Sequence, residues 1–229
     1  GVSDSSNFRV FELDNRSHLT LEKAMERFKR AVEDKRLLWE REGRPYRKTL
    51  AVGDRLEGFV YDTCEENGIE LEMTIEKPTV LFFSRYYSCP VCQMNIEVLK
   101  ESWEQIDKMG VDLKFVLQST QETIKNAFKD DPLPFDIICD PKAVLYDRYN
   151  IFEADSDEKL VAGDSQALKA MGGARNMLLN SMVSSVEEGR KRQLSAVFVV
   201  NPDMTIAYAY YSRTLTDLPD FDDIIQAKL

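Results

Sequence analysis

The chain has 229 residues, enough for one large domain with additions, and its 43% hydrophobic and 31% charged residues are typical of a globular protein. Its formal net charge of -10 argues against a nucleic-acid-binding surface, which needs clustered positive charge, and against docking on anionic membranes. No run of about 18 apolar residues occurs, so the sequence predicts no transmembrane helix.

Cysteine and histidine usage narrows the chemistry further. The four cysteines are too few for a disulfide scaffold in a chain of this length, which favours a cytoplasmic location. The single histidine, His18, argues against Ser-His and Cys-His catalysis. Because the chain begins with Gly1, the removal of a leader peptide stays open.

The first predicted element is an N-terminal helix. Residues 1–17 show no periodicity and are expected to form a loose arm, whereas Thr20–Glu42 predicts a helix capped by Thr20 and stopped by Gly43 and Pro45. Its apolar face consists of Leu21, Met25, Phe28, Val32 and Trp39. We assign residues 1–47 to this arm and helix, and residues 48–229 to the main domain. The helix either packs on that domain or serves as an arm of a homodimer.

Strands and helices then alternate along the chain. Strands are predicted at Pro78–Ser84, Val111–Gln118 and Phe135–Asp140, and helices at Pro90–Met109, Thr120–Lys129 and Pro141–Tyr149. Residues 153–192 are predicted as an insertion with a turn at Gly172-Gly173 and a helix around Ala174–Glu188. Ser195–Tyr211 predicts a hairpin, and Leu218–Leu229 a final helix. This order predicts an α/β sandwich with a partly parallel sheet and an antiparallel edge.

The sequence Cys89-Pro90-Val91-Cys92 stands where a strand gives way to a helix. Unpaired N–H groups and the helix dipole at this point favour the thiolate of Cys89, and proline suits the first helical position. Cys92, one turn further, can attack a mixed disulfide or sulfenic acid on Cys89. Arg85 can add positive charge. The pattern therefore favours a redox pair.

Three other interpretations of the two thiols stay open. A zinc site needs four ligands, and only Cys64, Cys139 and His18 remain to complete one. The thiols can also be inert residues of the core, although a helix start with polar neighbours argues against this. A structural disulfide at this spacing is less common than a redox-active one. No metal or cofactor is expected.

The residues Phe83 to Cys92 resemble the F-x-R-x-x-W-C-P-x-C motif of the peroxiredoxin-like branch of the AhpC/TSA family, with Ser88 where tryptophan is usual. The later segments "PFDIICDPKAVLYDRYNIF" and "LSAVFVVNPDMTIAYAYYSRTLTDLPDFDDIIQAKL" also resemble segments of that family. The resemblance covers about Val52–Leu229, with a gap over roughly Glu153–Arg192. It implies a thioredoxin-like three-layer α/β/α sandwich with a mixed central sheet, to which the N-terminal helix is an extension.

The resemblance also implies a function, a thiol oxidoreductase that reduces a peroxide or a disulfide. In it Cys89 attacks the substrate, Cys92 resolves the product, and an external thiol, thioredoxin-like or of low molecular weight, restores both. The site residues implied are Cys89, Cys92 and Arg85, with Tyr86, Tyr87, Ser88 and Ser195 along the substrate groove. The alternative is a non-catalytic thioredoxin-fold module that binds a partner without turnover.

The sequence departs from the family at three points. Ser195 stands where the fold carries a cis-proline, so we expect a trans Leu194–Ser195 bond and a groove suited to a small oxidant. Either the Ser195 hydroxyl donates a hydrogen bond to the Cys89 thiolate or to a bound peroxide, or Ser195 only begins the strand. Tyr86 and Phe82 stand where the P-x-x-x-[ST]-x-x-C motif has its hydroxyl and its proline. The arginine usually supplied by the later strand has only Arg190 and Arg192 as candidates.

Several other residues are interpreted as structural. Asp140 is predicted to cap the following helix, Cys139 to be a core thiol, and the tyrosines at 208, 210 and 211 to pack along a strand. Cys64 is predicted in an exposed turn, with a role in resolving Cys89 between subunits as the less favoured alternative.

Overall fold

The computed structural model describes residues 20–42, 49–174 and 187–226. The helices are α1 (Leu21–Glu42), α2 (Pro90–Lys108), α3 (Gln121–Phe128), α4 (Val144–Arg148), α5 (Asp157–Leu160), α6 (Ser165–Ala174) and α7 (Phe221–Gln226). The strands are β1 (Val60–Tyr61), β2 (Ile69–Glu70), β3 (Thr79–Phe83), β4 (Asp112–Leu117), β5 (Asp136–Cys139), β6 (Ala196–Val200) and β7 (Ile206–Tyr211). The arm predicted at 1–17 and the helix stop at Gly43 and Pro45 lie outside the described residues.

The strands β3 to β7 form one mixed sheet in the order β5-β4-β3-β6-β7. β3 is parallel to β4 and β4 to β5, whereas β6 is antiparallel to both β3 and β7. The carboxyl ends of β3, β4 and β5 and the amino end of β6 therefore meet at one edge of the sheet. In α/β proteins ligands bind at this kind of edge. β1 and β2 pair separately, and strands of two residues are too short to show a periodicity.

The sheet separates two apolar cores, which confirms the three-layer sandwich. On β3, Val80 and Phe82 face the core formed with α1, α2, α3, α6 and α7, while Leu81 and Phe83 face the core formed with α4 and β1. The unbroken apolar run of β3 follows from burial of both its faces. The predicted strands, the hairpin and the helices that flank the sheet are thereby confirmed.

The described part of α1 packs on α6. Thr20 caps the helix as predicted, because its hydroxyl accepts a hydrogen bond from the Lys23 N–H at 3.2 Å. The buried residues of α1 lie in the same core as the apolar residues of α6; they are Ala24, Met25, Phe28 and Val32. Met25, Phe28 and Val32 of the predicted face are thus confirmed and Leu21 is half-buried, whereas the side chain of Trp39 lies outside the part that the structure describes. None of the described helices is both long and apolar enough to span a bilayer.

Two local predictions were wrong. Gly172 and Gly173 lie inside α6 rather than in a turn, because packing of α6 on α1 overrides the low helix propensity of glycine. The helix predicted from Pro141 begins at Val144, because Ala143 has a left-handed backbone with φ of 57°. Of the helix predicted over Ala174–Glu188, the described residues show Ala174 in α6 and Glu187 and Glu188 outside any helix.

Candidate active site

Asp140 acts as the predicted cap at the edge where the strands converge. Its carboxylate accepts hydrogen bonds from the N–H groups of Val144, at 3.1 Å, and Leu145, at 2.9 Å. These two bonds satisfy donors in the first turn of α4 that have no partner within the helix. The carboxylate of Asp140 therefore has a structural role at the start of α4.

The loop Ser84–Ser88 joins β3 to α2 and brings Cys89 to the helix start. Cys89 is the N-cap residue of α2, with an extended backbone, and Pro90 follows at the first helical position. Cys92 lies in the first turn of the same helix. The structure thus brings Cys89, Cys92 and Arg85 together, as the sequence pattern predicts for a redox site.

Arg85 contacts the sulfur of Cys89 directly. Its Nη1 lies 3.2 Å from Cys89 Sγ, and only 5% of the surface of each residue is exposed. Burial alone would raise the pKa of Cys89. A hydrogen bond from Cys92, the charge of Arg85 and the N–H groups of Cys92 and Val91 outweigh it and lower that pKa to about 6. Cys89 is therefore a thiolate at neutral pH.

Cys92 has the opposite character. Its side chain is 1% exposed, and burial, followed by the hydrogen bond and the negative charge of Cys89, raises its pKa well above the ordinary value. The pair therefore holds one proton, on Cys92, and one negative charge, on Cys89. This is the division that a nucleophile and a resolving thiol need.

Arg85 is fixed in place by neighbours on two sides. Its Nη2 donates to the Tyr86 hydroxyl at 3.0 Å and to the backbone carbonyl of Lys191, and its guanidinium lies 4.8 Å from the centre of the Tyr86 ring. Burial would lower the pKa of Arg85, but the charge of Cys89 raises it, so the guanidinium keeps its proton. A rigid positive charge thus faces the thiolate.

Three side chains hold the loop before Cys89. Ser119 Oγ accepts the Tyr87 N–H at 3.0 Å, Gln93 Nε2 donates to the Tyr87 carbonyl at 2.9 Å, and Glu188 Oε1 accepts the Ser88 N–H at 3.1 Å. The Tyr87 ring is 2% exposed and meets the ring of Phe128 edge to face at 5.2 Å. This contact favours packing in the core over a place along the groove for Tyr87, whereas the half-buried Tyr86 lies beside Arg85.

Some residues of the site were missed by sequence reasoning. Gln118 donates to Gln193 Oε1 at 3.0 Å and accepts from the Arg190 N–H at 2.7 Å, and Glu188 binds the loop. Gln118 and Ser119 follow a buried strand at the convergent edge, a polar signal that can mark a site. Nothing local to Glu188 marks it, because its partner stands 100 residues earlier in the chain.

Ser195 is buried at the amino end of β6, immediately before the Ala196–Phe83 pair. All described peptide bonds are trans, including Leu194–Ser195, as expected. The Ser195 carbonyl accepts the Ser212 N–H at 2.9 Å. Among the described residues no hydrogen bond joins its hydroxyl to Cys89, so a role for that hydroxyl with a bound substrate stays a prediction.

The two candidate arginines from the later segment point elsewhere. Arg190 forms a two-pronged ion pair with Asp147, at 2.6 and 2.9 Å, and Arg192 Nε binds Asp157 at 2.8 Å. The cation that contacts Cys89 is Arg85, from the loop that follows β3.

The other two thiols lack the features of Cys89. Burial raises the pKa of the half-buried Cys64, and burial raises that of Cys139 to about 12. Both are therefore protonated at neutral pH, which makes them poor nucleophiles. Cys139 belongs to the apolar core, as predicted.

Comparison with known proteins agrees with the family resemblance seen in the sequence. The model of the AhpC/TSA family matches residues 52–209. Solved structures with a similar fold include a mutant of peroxiredoxin 6 from Arenicola marina, with 16% identity, a TM-score of 0.54 and coverage of 78% of this chain and 72% of that chain. Another is the peroxidoxin BcpB from Mycobacterium tuberculosis, with 11% identity, a TM-score of 0.55 and coverage of 77% and 95%.

A third similar structure is the reduced 2-Cys peroxiredoxin of Plasmodium vivax, with 15% identity, a TM-score of 0.53 and coverage of 77% of this chain and 79% of that chain. At these identities the likeness concerns the fold. A comparison with curated protein sequences found no match.

Proposed function

Because this chain belongs to the AhpC/TSA family, we propose that it is a thiol-dependent peroxidase in which Cys89 is the nucleophile and Cys92 the resolving thiol. Membership of the family carries a peroxiredoxin-like redox function. The finer assignment, to a peroxide substrate and to this pair of thiols, is our proposal. It is supported above all by the contact between Arg85 Nη1 and Cys89 Sγ at 3.2 Å.

In the first step the Cys89 thiolate attacks the outer oxygen of a hydroperoxide. A sulfur–oxygen bond forms, the oxygen–oxygen bond breaks, and the alkoxide or hydroxide leaves as an alcohol or water after taking up a proton. Cys89 becomes a sulfenic acid, so its sulfur is oxidised by two electrons. Charge develops on the peroxide oxygens, and Arg85, already buried and fixed, is placed to stabilise it.

The Tyr86 hydroxyl gives the site a second polar group. It stands at the position of the Ser or Thr hydroxyl in the P-x-x-x-[ST]-x-x-C motif, from which this sequence departs, and it lies 3.0 Å from Arg85 Nη2. We propose that it hydrogen-bonds the peroxide together with Arg85. Ser88 and Ser195 stay in the proposal as walls of the substrate site, both buried at the edge where β3 ends and β6 begins.

In the second step Cys92 resolves the sulfenic acid. Its sulfur attacks the sulfur of Cys89, a disulfide forms, and the hydroxyl leaves with the proton of Cys92 as water. An external thiol reductant then supplies two electrons and restores both thiols. For the yeast mitochondrial 1-Cys peroxiredoxin, whose fold is also similar with a TM-score of 0.50, resolution runs through glutathione/thioredoxin systems. A reductant of either class fits this chain, and its use implies a reducing compartment such as the cytoplasm.

Consumption of hydrogen peroxide in the presence of dithiothreitol tests the proposal. The wild type should turn over many equivalents, Cys89→Ser should not exceed the background rate, and Cys92→Ser should react but turn over more slowly because dithiothreitol must resolve the sulfenic acid itself. Cys139→Ser is the matched control and should keep the wild-type rate. Equal consumption by wild type and Cys89→Ser would overturn the assignment.

A further inference from the structure

The four residues Glu188–Lys191, here called the strap, pack against the loop Ser84–Ser88, which carries Arg85 and leads to Cys89. They follow Glu187 and precede Arg192 and Gln193, and none belongs to a helix or strand. Each member of the strap contacts a residue of the candidate site or of its immediate support. The strap is therefore a built part of the site's surroundings.

Its two ends are held by the site itself. At one end Glu188 Oε1 accepts the N–H of Ser88, the residue before Cys89, at 3.1 Å. At the other end the carbonyl of Lys191 accepts from Nη2 of Arg85, the group whose other nitrogen contacts Cys89 Sγ. Both ends of the strap are thus bound to residues that adjoin Cys89, one its neighbour in the chain and the other the cation at its sulfur.

Its middle is held just as closely. Gly189 has a φ of 70°, and a Cβ placed there would lie 2.4 Å from Cδ1 of Tyr86, so the backbone packs directly on that ring. The backbone N–H of Arg190 donates to Gln118 Oε1 at 2.7 Å, and the guanidinium of Arg190 donates two hydrogen bonds to the Asp147 carboxylate. No larger residue than glycine fits between strap and Tyr86 without moving one of them.

We propose that the strap is the specificity determinant of this site and restricts its oxidant to small hydroperoxides. This inference rests on the proposed function. With the strap in place only 5% of the surface of Cys89 and 5% of that of Arg85 is exposed. A hydroperoxide of a few atoms can reach the sulfur, whereas an aromatic hydroperoxide or a protein disulfide needs room that the strap occupies.

Variants that detach one end of the strap should relax the size limit. We would measure the rates at which Cys89 reacts with hydrogen peroxide and with cumene hydroperoxide, and with iodoacetamide and a fluorescein maleimide. Glu188→Ala removes the acceptor for Ser88 and should raise the bulky-to-small rate ratio at least about tenfold, the population shift expected on losing a charge-assisted hydrogen bond. Glu188→Gln keeps an acceptor oxygen and should fall between Glu188→Ala and wild type.

Gly189→Ala provides an independent variant, because the added methyl group collides with Tyr86. Its matched control is Gly68→Ala: Gly68 has a φ of 69° and open space around it, so the same backbone strain arises without any collision. Gly189→Ala should raise the ratio and Gly68→Ala should not. The melting temperature and the labelling of buried Cys139 show whether a raised ratio comes from unfolding.

An unchanged ratio in folded Glu188→Ala and Gly189→Ala overturns the inference, and so does a wild type that reacts equally well with both sizes of reagent. Failure of the proposed function looks different, because the wild type would then leave both hydroperoxides unconsumed. The two alkylating reagents would still decide whether the strap limits access by size.

Discussion

At the scale of single residues, the site depends on one short-range electrostatic arrangement. Burial penalises a thiolate, and Cys89 is almost fully buried, yet it lies against a guanidinium that is itself buried. In a medium of low effective dielectric constant the attraction between the two charges is larger than at a surface. Cys92 has no cation within hydrogen-bonding distance among its described contacts and keeps its proton.

This arrangement predicts the pH dependence of Cys89 alkylation by iodoacetamide. A depressed pKa means that the reactive thiolate is present above the folded-state pKa and lost below it, so the rate should be level at neutral pH and fall on acidification with a midpoint at about 6. In Arg85→Gln the midpoint should move upward by about 1–3 pH units, the usual effect of an opposite charge at this distance.

The control for this variant is Arg55→Gln, because Arg55 is exposed and contacts the Asp203 carbonyl far from the thiols. Peptide mapping must show that the label is on Cys89. Faster labelling of Cys92 in the reduced protein, or an unshifted midpoint in Arg85→Gln, would show that the roles of the residues are assigned wrongly.

At the scale of elements, the two packed helices α1 and α6 extend the core on one side of the sheet. Phe28 is 2% exposed and lies in the apolar core that the two helices share with α2. Most of the stability of a surface helix comes from burial of such an apolar face rather than from helix propensity. We therefore propose that the N-terminal helix is an integral layer of this molecule.

Truncation of this side chain tests that packing. Phe28→Ala should lower the free energy of unfolding by about 3–5 kcal/mol, the usual cost of removing a buried phenylalanine, while Glu26→Ala on the exposed face should change it by no more than about 0.5 kcal/mol. Urea denaturation at equilibrium gives both values. A loss near zero for Phe28→Ala would mean that α1 does not pack on α6 in solution.

The elements also show how far the sequence alone can lead. The five strands of the central sheet, α2 and the trio of Cys89, Cys92 and Arg85 were predictable because their signals are local: apolar runs, a proline at a helix start and a fixed spacing of a few residues. The strap was not, because the bond from Ser88 to Glu188 joins residues 100 apart and the bond from Arg190 to Gln118 joins residues 72 apart. The turn predicted at Gly172 and Gly173 was wrong because the packing of α6 on α1 overrides the low helix propensity of glycine.

At the scale of the whole molecule, the arrangement of the thiols bears on assembly. Cys89 and Cys92 lie in one helix turn, whereas Cys64 and Cys139 are protonated and belong to the surroundings of β1 and β5. Oxidation should therefore close a bond within one chain. A homodimer stays a prediction, and it does not need a covalent link between subunits.

Mild peroxide treatment followed by electrophoresis without reductant tests this expectation. The oxidised protein should run as a single chain, and peptide mapping should show a Cys89–Cys92 disulfide. Cys64→Ser serves as the matched control and should give the same result. A covalent dimer that disappears in Cys64→Ser would replace the mechanism with one that links two subunits.

The most direct test of the central claim is a single turnover of the reduced protein with one equivalent of hydrogen peroxide at neutral pH. We expect loss of two thiols per chain, a Cys89–Cys92 disulfide, and a rate above that of free cysteine, because Cys89 is largely thiolate at pH 7 and the guanidinium of Arg85 lies beside its sulfur. Peroxide that leaves Cys89 reduced, or oxidises it no faster than free cysteine, would contradict it and favour a binding module without turnover.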